Sequence, residues 1–106
     1  MRADAVSFDL RAALLRKGDV ESARLDEFAF RVRARTWRRV GEALGLAPDG
    51  LVARIAHEAD AVLLADLAVE TGEPPAALAG LHARLTVQVR AELVAERGDP
   101  APHRLA

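Results

Sequence analysis

The chain has 106 residues, enough for one domain with a real hydrophobic core and too few for a lobed enzyme. It has no cysteine, which excludes disulfides and thiolate metal sites, and its 4% aromatic content beside abundant Ala, Leu, Arg, Val and Glu disfavours strands. The net charge is −1, no apolar run approaches a membrane span, and Met1-Arg2-Ala3-Asp4 lacks the shape of a secretory signal, so a soluble cytoplasmic protein is expected.

An all-α fold of four helices is predicted, in a single domain over residues 1–98 with an extended or mobile tail over 99–106. The first helix runs from about Phe8 to Arg16, with Ser7 as its N-cap and Gly18-Asp19 as its stop. The second runs from about Val20 to Leu44, with Asp19 or Ser22 at its start and Asp26 and Glu27 near its positive end. Its apolar residues fall in two phases, Leu25, Phe28 and Val32 in one and Phe30, Trp37, Val40 and Leu44 in the other, which predicts two packing neighbours. Gly45 to Gly50 turns the chain into a third helix, about Asp49 to Glu70, with Leu51, Ile55, Ala59, Val62, Leu63 and Leu67 facing inward. Thr71-Gly72-Glu73-Pro74-Pro75 breaks the pattern. A fourth helix follows, about Pro75 to Glu96, with Leu78, Leu81, Leu85, Val89 and Leu93 on one face, and Gly98-Asp99-Pro100 ends it.

The small net charge conceals an asymmetry. Phe28 to Gly41 holds five arginines and no acid, whereas Ala47 to Glu73 holds six acids and only Arg54. At about 100° per residue, Arg31, Arg35, Arg38 and Arg39 cover roughly a third of the second helix's circumference, with Arg24 on the same side. Such a stripe is the footprint of an anionic partner, or the complement of an acidic face within the chain or across a subunit boundary. A solvated face laced by the i,i+4 pairs Glu27–Arg31 and Arg38–Glu42 is the simpler reading. Trp37 lies off the stripe, as expected of a core or interface residue.

Val40-Gly41-Glu42-Ala43-Leu44-Gly45-Leu46-Ala47-Pro48-Asp49-Gly50-Leu51-Val52-Ala53-Arg54-Ile55 resembles a helix-turn-helix unit. Gly41 lets the next helix approach, Gly45 suits the left-handed turn, and Leu44, Leu46 and Leu51 close a small core. The positions that would read base edges are Ala47, Pro48, Asp49, Gly50 and Ala53, with Arg54 the one good donor, so little sequence specificity is expected. An ordinary helical corner with a Gly stop and a Pro start explains the same residues.

His57, His82 and His103 lack ligand-spaced companions, Ser7 and Ser22 read as caps, and no Gly-rich phosphate loop is present. No metal or cofactor is expected, and no catalytic residue set is visible.

An arginine-bearing helix, a corner of helix-turn-helix type and a long helical hairpin, over about residues 20 to 97, form an order of parts similar to the small terminase subunits of tailed phages and phage-derived gene transfer particles. The resemblance is one of architecture, without a diagnostic motif and without the β-rich C-terminal module of many members. It implies a non-catalytic homo-oligomeric adapter that holds DNA weakly through phosphates and hands it to a separate motor ATPase. Arg31, Arg35, Arg38 and Arg39 would then contact phosphates, with Arg24 and Arg54 beside them, and the hairpin would carry oligomerisation. Two other classes remain open: a helix-turn-helix regulator or antitoxin-like repressor, and a helical protein-interaction module without nucleic acid.

Overall fold

A computed structural model describes residues 8–96. The fold is all-α: among the described residues the chain forms α1 (Leu10–Lys17), α2 (Val20–Leu44), α3 (Pro48–Arg54), α4 (Asp60–Thr71) and α5 (Pro75–Glu96), with no strand. No helix of the described residues is long and apolar enough to cross a membrane.

Local chemistry sets most of the boundaries. Asp9 caps α1 by accepting from the Ala12 N–H at 3.0 Å, so this helix begins later than a Ser7 cap would place it; Ser7 lies outside the described residues. Gly18 closes α1 in the left-handed conformation, and Asp19 at once caps α2 through the Ser22 N–H at 2.7 Å. At the far end of α2, the Leu46 N–H bonds the Gly41 carbonyl and the Gly45 N–H bonds that of Glu42, with Gly45 at φ 73°, a Schellman closure. Gly41 is buried under α3: a Cβ there would sit 3.1 Å from both Leu51 Cδ1 and Pro48 Cα. The corner read from the sequence therefore exists, with its glycines in the anticipated roles. The anticipated tail, 99–106, lies outside the described residues.

The expected third helix is two helices. A continuous run over 49–70 is interrupted at Ile55–Ala59, where the His57 and Glu58 amides both turn back to the Arg54 carbonyl. No glycine or proline stands there to break it. The cause is tertiary: Arg33 of α2 donates to the carbonyls of Ile55 (3.3 Å) and Glu58 (3.2 Å) and to the carboxylate of Asp60, the first residue of α4. The guanidinium supplies partners for carbonyls that the missing turn leaves free. The break also resets the helical phase, so Ala59 and Val62, expected inside, are exposed while Leu63 and Leu67 are fully buried.

α2 is the spine and packs against α1, α3 and α5, while α4 packs on α5. Its two apolar phases meet more than the two neighbours expected: one packs on α5 alone and the other on α3, α4 and α5 together. Trp37 and Val40 join Leu51, Val52, Ile55, Leu63, Leu67 and Leu78 in the main core, while Val32 meets Val89 and Leu93 with Phe28 alongside. Leu25, grouped with Phe28 and Val32 by periodicity, is 65% exposed.

Candidate binding surfaces

The arginine stripe lies along a seam between α2 and the C-terminal half of α5. Arg39 grips Glu92 with both terminal nitrogens, one of them at 3.1 Å, and Arg35 binds Glu96 in the same two-handed way while standing 3.9 Å from Glu92. The hydrogen bonds from Arg39 and Arg35 hold the Glu92 and Glu96 carboxyls below the usual range, and the Glu92 bond raises the Arg39 guanidinium in turn. Arg31 is exposed. Arg38 is half-buried, with its Nε enclosed and without a hydrogen-bond partner, and both Arg31 and Arg38 feel the Glu96 charge. Arg39 also feels Glu42, so four guanidiniums face three carboxylates and the seam keeps a small excess of positive charge. Arg24 stands farther along α2, 60% exposed and 3.8 Å from Glu27, and lines a recess of about 130 Å³ with Glu27, Phe28 and Arg31.

Arg54, the sixth candidate, is separate from the seam. It lies among Glu58 (2.9 Å), Asp66 (2.7 Å) and Glu70 (3.8 Å), so one guanidinium faces three carboxylates and the corner stays acidic. Its hydrogen bond to Glu58 is the main reason its guanidinium is raised and the Glu58 carboxyl lowered. The positions beside it that would face bases offer little: Ala47, Asp49, Gly50 and Ala53 are exposed and α3 has seven residues. Arg54, the one good donor there, points into its own carboxylates.

No protein-family model, curated protein or solved structure matches the chain. The reading of the surfaces therefore rests on their own chemistry.

The Asp60 carboxylate, a meeting point of several donors, was not among the candidates. Asp60 Oδ1 accepts from Trp37 Nε1 (2.9 Å), Arg33 Nη2 (2.9 Å) and Arg33 Nε (3.1 Å), and its second oxygen lies 4.0 Å from His82 Nε2. His82 packs against Trp37 with ring centroids 4.8 Å apart and the planes inclined at 46°, and it is half-buried, its Nε2 without a hydrogen-bond partner. Burial raises the Asp60 carboxyl, but the bonds from Trp37 and Arg33 outweigh it and the net shift is downward. Burial likewise lowers His82, ahead of the opposing pull of Asp60 and the push of Arg33. This node joins α2, the α3–α4 link, α4 and α5. Among the described residues, no cluster of three or more His, Asp or Glu side chains is arranged to hold a metal ion.

A pH dependence follows from the node. The unfolded chain binds a proton at His82 more readily than the folded chain, so the stability due to neutral His82 is present above about pH 6.5 and is lost as pH falls from there through the lower folded value. The depressed Asp60 carboxyl acts in the same direction at lower pH, its stabilisation being lost as pH falls through its folded value. Urea midpoints should therefore fall from pH 8 to pH 5, and in His82→Gln the part of that fall that sets in near pH 6.5 and continues below it should vanish. A slope unchanged by the substitution would place the titration elsewhere.

Proposed function

We propose that this chain is a non-catalytic helical adapter that acts through contacts with protein. The observation that carries this reading is the set of valines the chain leaves uncovered at seven-residue spacing: Val62 and Val69 on α4, Val87 and Val94 on α5. Their exposures run from 39% to 84% on two helices whose other faces are already packed, and apolar surface so arranged marks a contact face. The arginine distribution supports the same reading. Arg33, Arg35, Arg39 and Arg54 are each fastened to carboxylates of their own chain, so a polyanion would have to displace those partners before using them.

A second reading, the small-terminase-like homo-oligomer that holds DNA for a motor ATPase, is favoured by a different row. Arg24, Arg31 and Arg38 repeat every seven residues along one line of α2, and the seam beside them keeps its positive excess. A regulator that reads bases finds no donor set on α3.

Titration of a labelled duplex at several salt concentrations separates the two. The protein-contact reading expects nothing tighter than about 10⁻⁴ M at physiological salt. Tighter, salt-sensitive binding that disappears in the Arg24→Ala, Arg31→Ala, Arg38→Ala triple variant would establish the DNA reading in its place.

A further inference from the structure

The valine faces of α4 and α5 differ in their charged borders, and the difference says what covers them. On α5, Ala76, Gly80, Ala83, Val87, Ala91 and Val94 fall within about 80° of arc on the solvent side. Part of this face is an open groove of about 510 Å³ lined by Thr86, Val87, Arg90, Ala91 and Val94. Arg84 and Arg90, both exposed, stand about 60° to either side of Val87, so the groove has a cationic border. Gly80 adds an independent sign of close approach. A glycine in mid-helix weakens the helix, and nothing among the described residues requires one there, since a Cβ would meet none of their atoms within 4 Å.

On α4, Val62 and Val69 lie within about 20° of one another with Ala65 beside them, and Val69 is 84% exposed. The border here is acidic. Asp66 and Glu70 stand about 60° and 100° from Val69, both on one side of it, and both belong to the corner in which Arg54 is outnumbered by carboxylates. Glu70 is held most loosely, 3.8 Å from Arg54 with 55% of its side chain exposed.

We infer that these faces are the two halves of one contact between copies of this chain: α4 of one copy seats Val69 in the α5 groove of another, and Glu70 meets Arg90 at the rim. The inference rests on the protein-contact reading and names its partner as a second copy. The knob, the groove and the opposite borders are all present on each molecule. Surfaces of this type associate as a two-fold pair with both contacts made at once, or head to tail.

Light scattering on a sizing column, over roughly 5–500 μM and without DNA, tests it. The wild-type chain is expected to exceed the monomer mass. Val69→Glu and Val87→Glu, both at exposed positions where folding is indifferent, should each weaken association by about tenfold or more, with circular dichroism unchanged. Arg90→Glu and Glu70→Arg should each weaken it separately, and mixing the two variants should restore it, because the reversed charges then meet across the contact. A monomer at every concentration overturns the inference, and so does an assembly whose mass is indifferent to both valine variants. Neither result touches the duplex titration, so failure here and failure of the adapter reading are read from different measurements.

Discussion

Trp37→Ala should lower the unfolding free energy by about 3–5 kcal/mol, enough to remove most of the stability of a domain this size. Trp37 is fully buried where α2 meets α3, α4 and α5, and its removal opens a cavity lined by residues of the main core. The substitution also withdraws the Nε1 donor from Asp60 and the ring against which His82 packs at a tilt. Trp37→Phe separates these contributions. It keeps most of the ring volume and loses the N–H, so its cost should stay near 1–2 kcal/mol, the scale of one hydrogen bond plus a small void. Urea unfolding followed by far-ultraviolet circular dichroism makes the comparison, because both variants lack the chain's single tryptophan. If Trp37→Ala unfolds within about 1 kcal/mol of the parent, the residue is not the pillar its burial indicates.

How far the sequence reveals this arrangement depends on which interactions are local. The boundaries of α2, the start of α5, the Gly41 approach and the Gly45 turn are written in caps, glycines and periodicity, and all were legible. The division of the expected third helix was not, because residues 55–59 contain no breaker and the side chain that stabilises the break comes from α2. A signal was nevertheless present. Arg33 occupies a position in the apolar phase of Phe30, Trp37, Val40 and Leu44, and Asp60 precedes the inward Leu63 and Leu67 at helical spacing. Two opposite charges on faces that must become core predict each other as partners, since neither can be buried alone.

The arginine run thereby resolves into different roles at neighbouring positions. Arg35 and Arg39 tie α2 to α5, while Arg31 and Arg38 leave the seam its positive excess. Arg54 was placed beside the stripe as the one good donor of the helix-turn-helix corner, and it lies in an acidic corner among the carboxylates of the middle of the chain. A stripe defined by angle on one helix cannot show this, because the acids that answer it reside on other helices: Glu92 and Glu96 on α5, Asp60 and Asp66 on α4.

Arg33→Ala is expected to cost about 2–3 kcal/mol, well beyond any other arginine of the run. The guanidinium makes two hydrogen bonds to Asp60 and one each to the carbonyls of Ile55 and Glu58. Removing it leaves a carboxylate near the core with Trp37 as its remaining hydrogen-bond donor, and two link carbonyls must find water. The figure sits below that for a fully buried pair because about a third of each side chain remains exposed, 34% for Arg33 and 35% for Asp60. Arg35→Ala should change stability far less, since its partner Glu96 is half in solvent already. Hydrogen exchange supplies the decisive contrast: amides of the 55–60 segment should lose protection in Arg33→Ala and keep it in Arg35→Ala. Equal losses in the two variants would mean that the break in the third helix is held by local sequence, and that Arg33 is one more surface cation. Unequal losses in the expected order would make one arginine of five the residue that shapes α4, and with it the valine face that α4 presents to a second copy.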